Sequence, residues 1–218
     1  MATIGESSAQ LALRDPDIRL MLRVRADEPG AFAELVEHYQ ERLIAVLHHL
    51  MGNADEAEDL AQEVFLRVYR ARKRYRPRSK FSTWLFTIAN NVALTALRNR
   101  NRALPLEVRD SGTLGVEPVK KLVADPDSGP SQRMQREELA QRVQKALETL
   151  NERQRMAVIL NKFEDMNYAE IGEVMGLSVM AVKSLLSRAR ANLRAALQDY
   201  IEVESQAQDD GVVESEQP

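Results

Sequence analysis

Residues 167–194 read NYAEIGEVMGLSVMAVKSLLSRARANLR, and this stretch decides what the C-terminal half of the chain is. Asn167 is placed to cap a short helix, Tyr168 to Met175, that buries Ile171, Val174 and Met175. Gly176 stands where a helix ends in the left-handed region, and Ser178 is placed to cap the next helix. The pattern is helix, tight glycine turn, helix. Stepping about 100° per residue from Leu186 gathers Val182, Ala189 and Leu193 into one apolar stripe. Ser184, Ser187, Arg188 and Ala191 point the other way, with Lys183 and Arg194 on the flank and Arg190 nearer the buried side. Small side chains let such a helix enter a major groove, while cations reach phosphates or guanine. The same residues on an arbitrary helix would more often be solvated decoration. Here the glycine spacing and the absence of acids from Val174 to Gln198 favour a nucleic-acid reader.

Working outward, Leu139, Val143, Leu147 and Leu150 mark one further helix, and Met156, Ile159, Leu160 and Phe163 mark another after Asn151. Residues 103–133 lose this period and hold Pro105, Pro118, Pro126, Pro130, Gly112, Gly115 and Gly129, the composition of a linker. Before it, Ala31 to Met51 carries Phe32, Leu35, Val36, Tyr39, Leu43, Val46, Leu47 and Leu50 at helical spacing, bracketed by Pro29-Gly30 and Gly52-Asn53. A second helix opens with acids and runs through Leu60, Ala61, Val64, Phe65, Val68 and Tyr69. After the turn at Arg76-Pro77-Arg78, Ser82 is the expected cap of a third helix reaching about Arg102. The expected fold class is all-α: two small helical domains joined by a flexible linker, the second containing the helix-turn-helix. The divisions fall at 1–14 (flexible N-terminus), 15–102, 103–133 (linker), 134–200 and 201–218 (acidic, disordered tail).

Composition agrees. Gly 9 and Pro 8 in 218 residues, with 5 % aromatics, disfavour a turn-rich β fold. Cys 0 excludes disulfides, thiolate chemistry and zinc fingers, and fits a reducing compartment. No stretch approaches the length of a bilayer span, so membrane insertion is not expected and the cytoplasm is the simplest location. The histidines are His38, His48 and His49, no HExxH or phosphate-binding glycine loop occurs, and neither an enzyme nor a cofactor or metal site is expected.

The net charge of −3 conceals three blocks. Met51 to Glu63 holds five acids and no base, whereas Val64 to Arg102 holds eleven bases and no acid. From Asp199 onward acids stand unopposed. Six of the eleven aromatic residues lie in or beside the basic block: Phe65, Tyr69, Tyr75, Phe81, Trp84 and Phe86. Cations interleaved with stacking faces suit a single strand whose bases have left the stack. Phe65 and Phe86 read better as helix core, while Tyr75 and Phe81 lie in the turn, where burial is harder to arrange. Asn90 and Asn91 are either base readers or solvated.

The stretches AFAELVEHY, DEAEDLAQEVFLRVYRA, FSTWLFTIANNVALTALR and LETLNERQRMAVILNKFEDMNYAEIGEVMGLSVMAVKSLLSRARANLR, in this order, resemble the extracytoplasmic-function (group 4) sigma factors of bacterial RNA polymerase. The resemblance implies that DLAQEVFLRVY docks on core RNA polymerase through Asp59, Gln62, Glu63, Leu66 and Arg67. It implies that the basic aromatic block melts and reads the −10 promoter element, with Tyr75, Arg76, Arg78, Lys80, Phe81, Trp84, Asn91 and Arg98 as candidates. It also implies that the second domain reads double-stranded −35 DNA through Ser178, Lys183, Ser184, Ser187, Arg188 and Arg194, and that an anti-sigma factor is a partner. A conventional operator-binding regulator is the alternative, but it leaves the acidic helix and the basic block unexplained.

Two DNA sites about two helical turns apart lie about 70 Å from each other. A linker of thirty-one residues averages about 30 Å as a free coil and reaches about 100 Å at full stretch. The free chain is therefore expected to be compact or domain-mobile, and to bind promoter DNA weakly until polymerase holds the linker open. The acidic tail either competes with DNA for the basic faces or is a solvated end.

Overall fold

A computed structural model describes residues 8–103 and 130–210. Helices α1 (Ser8–Arg14), α2 (Pro16–Arg25), α3 (Ala31–Met51), α4 (Ala54–Ala71) and α5 (Phe81–Ala103) form the first unit, with a single 3₁₀ turn at Arg72–Arg74. Helices α6 (Pro130–Glu148), α7 (Glu152–Lys162), α8 (Tyr168–Met175) and α9 (Val179–Asp210) form the second. No strand occurs among the described residues.

The ends of α3 follow from local chemistry. Gly30 (φ 82°) precedes it, and Gly52 (φ 75°) closes it in the left-handed region while donating its N–H to the His48 carbonyl. Asn53 then caps α4 by accepting from the Glu56 N–H at 2.8 Å. Against expectation, α5 begins at Phe81, so Ser82 lies inside the helix. The orphan N–H of Phe81 donates to Asp15 Oδ2 at 3.0 Å, while Asp15 Oδ1 accepts from Asp17 N at 2.9 Å and so caps α2. One carboxylate thereby starts two helices remote in sequence.

The core of the first unit is built from Ile18, Met21, Leu35, Tyr39, Leu43, Leu47, Val64, Val68, Phe81 and Leu85. That of the second is built from Leu147, Met156, Ile159, Leu160, Ile171, Val174, Val182 and Leu186. The two are continuous, because α8 packs on α5 and α7 on α3. The chain thus takes the compact one of the two arrangements expected for it.

Two expectations at the ends are corrected. Residues 8–14 of the supposed flexible N-terminus are helical, and α9 continues through Asp210 into the stretch expected to be disordered. No Gly or Pro interrupts 201–210, and Gly211 is the first breaker the helix meets. Most of the 103–133 linker and residues 211–218 lie outside the described residues.

Candidate nucleic-acid interface

The turn between α4 and α5 is held from behind by α2. Arg25 Nη1 donates to the Tyr75 carbonyl at 3.2 Å, and Lys73 Nζ donates to the Arg25 carbonyl at 3.0 Å. Covered in this way, Tyr75 (3 % exposed) and Phe81 (0 %) are core residues, contrary to the expectation that turn aromatics would stay accessible. Phe81 lies 5.2 Å from Tyr39 and 5.8 Å from Trp84, and Tyr75 lies 4.8 Å from Trp84, ring centre to ring centre. A base cannot stack on a ring with no exposed face, so Phe81 supports the site from behind rather than touching nucleic acid.

In front of this aromatic wall lies a cleft of about 570 Å³ lined by Arg74, Tyr75, Arg76, Arg78, Ser79, Thr83, Trp84 and Thr87. Tyr75 Oη and Thr83 Oγ1 are buried there without a hydrogen-bond partner. Burial, reinforced by Asp15 and Asp17, pushes the Tyr75 hydroxyl pKa up, so it is a neutral donor at physiological pH. Buried hydroxyls left unpaired are costly, so a shift of either side chain toward the cleft would let a ligand with polar edges satisfy it. Thr83, Ser79 and Thr87 were not among the sequence candidates; no charge or period distinguishes Thr83 and Thr87 from ordinary helix residues, or Ser79 from an ordinary turn residue.

Arg76, Arg78, Asn91 and Arg98 are exposed, as a phosphate- or base-contacting role requires. Asn90 is not: it is 4 % exposed, and its Nδ2 donates to the Val174 carbonyl of α8 at 3.5 Å. The base-reading option for Asn90 is thereby closed in this arrangement.

Helix α8 borders the cleft. Glu173 is part of its lining, and Glu170 Oε1 meets Lys80 Nζ at 2.8 Å. Glu170 is doubly engaged, since its Oε2 also accepts the Asn167 N–H at 2.9 Å while Asn167 Oδ1 accepts from Glu170 N at 3.0 Å. This capping box fixes the start of α8 and aims its acidic face at the basic turn. Further contacts hold the units together: Arg155 donates to the Leu50 carbonyl at 2.9 Å, and the His49 ring sits 4.4 Å from that of Phe163.

The helix-turn-helix is built as its sequence indicates. Gly176 (φ 64°) and Leu177 both donate their N–H groups to the Gly172 carbonyl, the latter at 2.9 Å. Gly172 is required for a different reason: a Cβ there would meet the Leu177 carbonyl oxygen at 2.6 Å. Ser178 Oγ accepts from Ala181 N at 3.2 Å, which caps α9. Val182, Leu186 and Ala189 are buried, whereas Ser178, Lys183, Ser184, Ser187, Arg188 and Arg194 are exposed. Arg188 Nη2 donates to Ser184 Oγ at 3.0 Å, holding the guanidinium along the outer face. Arg190 instead donates to Tyr168 Oη at 3.2 Å, consistent with its place nearer the buried side.

On α4, Asp59, Gln62, Leu66 and Arg67 are exposed and Glu63 half-buried. Arg67 Nε donates to Glu63 Oε1 at 2.7 Å. Leu66 at 49 % and Tyr69 at 42 % exposure place large apolar surface beside these charges. Tyr69 packs on Phe32 at 4.9 Å and lies under the Arg72 guanidinium at 3.8 Å; neither Tyr69 nor Phe32 was a sequence candidate for this face. No described helix is long and apolar enough to cross a membrane. Among the described residues, no group of three or more His, Asp or Glu is placed to hold a metal ion.

Comparison with known proteins assigns both units. The family described as sigma-70 region 2 matches residues 35–103, and sigma-70 region 4 matches residues 140–193. The ECF RNA polymerase sigma factor SigW of Bacillus subtilis is 31 % identical over 177 residues, covering 81 % of this chain and 94 % of SigW. The ECF RNA polymerase sigma-E factor of Escherichia coli K12 is 33 % identical over 183 residues, covering 84 % and 94 %. Among solved structures, the sigma factor RpoE of Bartonella quintana, in complex with the anti-sigma factor NepR, superposes with a TM-score of 0.59 at 28 % identity, covering 78 % of this chain and 98 % of that one. A chain from the complex of CnrH with the cytosolic domain of CnrY shares the fold, with a TM-score of 0.62 at 24 % identity over 85 % of this chain and 99 % of that one. The chain belongs to the extracytoplasmic-function sigma factors. It is a transcription initiation factor that directs promoter-specific transcription.

Proposed function

We propose that the cleft beside α5 receives an unstacked base of the −10 element, and that α9 reads the −35 element as duplex. The observation that carries this reading is a cleft lined by the half-buried Trp84 and rimmed by Arg74, Arg76 and Arg78, two of whose lining residues, Tyr75 and Thr83, hold buried hydroxyls without a partner. Hydroxyls discriminate a base edge and guanidinium groups hold the backbone. Trp84, half-buried, supplies the accessible aromatic surface, and Tyr75 backs it from the core. Lys80, Asn91 and Arg98 extend the cationic and amide surface along the turn and α5. On the second unit Ser178, Lys183, Ser184, Ser187, Arg188 and Arg194 form the duplex-reading face.

Core RNA polymerase is met by the exposed side of α4, through Asp59, Gln62, Glu63, Leu66 and Arg67. Leu66 supplies the apolar centre such an interface needs and the charges supply its rim. The protein acts in the cytoplasm, beside the polymerase, with no cofactor and no catalytic step of its own. An anti-sigma factor, of the kind held by the RpoE relative, is a further partner.

The arrangement with α8 beside the cleft is the resting state of the free chain. Glu170 and Glu173 stand where nucleic-acid phosphates would otherwise lie, and the two DNA elements are too far apart for packed domains to read together. Polymerase binding separates the units and takes α8 away from the cleft. The test is holoenzyme reconstituted on a promoter carrying 2-aminopurine in the non-template −10 strand. Thr83→Val and Arg78→Ala are each expected to reduce the fluorescence rise on melting without reducing polymerase binding. An unchanged rise for both would reject the cleft as the base site.

A further inference from the structure

The outer face of α9 carries one side chain that its groove-reading pattern does not account for. Met180, in the first turn of the helix, is 73 % exposed, the second most exposed of the large hydrophobic residues described. Ser184, Ser187 and Ala191 follow it by four, seven and eleven residues, so all four share one stripe at helical spacing. All four are exposed. The inward side of α9 is already filled by Val182, Leu186 and Ala189, so Met180 has no place in the core. Arg188, the long cation beside the stripe, is tied back to Ser184 Oγ at 3.0 Å. The result is a face of small side chains with one flexible thioether at its N-terminal end.

That end is the part of a recognition helix that comes nearest to base edges in the major groove. The groove offers one apolar feature, the thymine 5-methyl group, and an unbranched thioether adapts to such a group better than a branched side chain does. We propose that Met180 is a specificity-determining residue of the −35 reader, taking the 5-methyl group of one thymine. The proposal rests on the reading of α9 as the duplex-reading helix. Solvation of a lone surface methionine is common in itself; what distinguishes Met180 is its place in line with Ser184 and Ser187 on the face that enters the groove.

The experiment uses holoenzyme assembled from the full chain and bacterial core polymerase. A promoter library randomised at the −35 element is selected with the wild type, Met180→Ala, Met180→Leu and Arg188→Ala. The wild type is expected to enrich an A·T pair at one position where Met180→Ala shows weaker preference and Met180→Leu keeps part of it. Replacing that thymine by uracil, which removes only the methyl group, is expected to weaken wild-type binding by about fourfold, the effect of one methyl taken from water, and to leave Met180→Ala unchanged. Equal enrichment by wild type and Met180→Ala, or an equal uracil effect on both, overturns the proposal. If Arg188→Ala flattens the preference while Met180→Ala does not, the duplex-reading role of α9 stands and only the methionine assignment falls. If Arg188→Ala also leaves it intact, that role itself fails. Because Met180 is exposed, both of its variants should melt with the wild type in circular dichroism, which separates loss of reading from loss of fold.

Discussion

Arg42 of α3 and Glu164, in the connection between α7 and α8, form an ion pair of 2.5 Å across the boundary between the two units, with the Glu164 side chain only 3 % exposed. Burial pushes the Glu164 carboxyl pKa above its ordinary 4.5, and Arg42 opposes the rise. A carboxylate sequestered in this way depends on its one cation. Arg42→Ala should therefore favour separation of the units, shifting the closed-to-open equilibrium by about tenfold. Double electron–electron resonance between labels on α4 and α9 reads this directly. An unchanged distance distribution would show that the pair does not hold the units together.

The same boundary should respond to pH. Burial holds the His49 pKa below its ordinary 6.5, with the Gln144 hydrogen bond opposing. The closed form therefore binds fewer protons at this site than an open form with an ordinary histidine. Its stability is fully present above 6.5 and is lost as the pH falls below that value. Glu164 has the opposite sign: its raised pKa means the closed form gains stability as the pH falls from above toward 4.5. Between pH 7 and 6 the His49 contribution raises the open fraction and the Glu164 contribution lowers it, so any rise of the open fraction should be abolished by His49→Gln. The same distance measurement across this range checks it; an equal rise in the variant assigns the effect elsewhere.

Gly172 tests the geometry of the helix-turn-helix. A methyl at this position would press on the Leu177 backbone carbonyl at 2.6 Å, and backbone has little room to yield. Gly172→Ala should cost about 2 kcal/mol in denaturant unfolding. A cost near zero would mean that the turn relaxes freely.

Glu170 and Glu173 on α8 make the third relationship testable. If they occupy the place of phosphates, Glu170→Gln with Glu173→Gln should strengthen single-strand binding by the free chain and steepen its salt dependence, read by fluorescence anisotropy across a salt series. If polymerase separates the units as proposed, the double variant should bind in the holoenzyme as the wild type does. There, Arg76→Ala or Arg78→Ala should each lower the salt slope by about one.

The parts of the fold that were legible in the sequence are those decided locally. The limits of α3 and α8 agree with the reading because Gly52 and Gly176 end those helices through their own backbone, and Asn167 starts α8 through its own side chain. The outer face of α9 was legible for the same reason, since helical periodicity alone separates Ser184 from Leu186. What escaped depends on partners remote in sequence. Tyr75 and Phe81 looked accessible because the helix that covers them, α2, lies far upstream, and Asp15, which starts α5 in place of Ser82, cannot be paired with Phe81 by any local rule. Glu170 and Glu173 carry no sequence signal of their own; only the packing of α8 on α5 gives them a basic surface to face. Met180 escapes the periodicity because it is apolar on the face of α9 that is otherwise polar or small.

The measurement that bears most directly on this account compares promoter binding by the free chain and by its holoenzyme, in the same buffer at physiological salt. The chain is expected to co-elute with bacterial core RNA polymerase as a stoichiometric complex, and only this complex to bind promoter DNA specifically. Tight, sequence-specific binding by the free chain would contradict the closed resting state. Failure to co-elute would contradict the assignment of α4 to the polymerase.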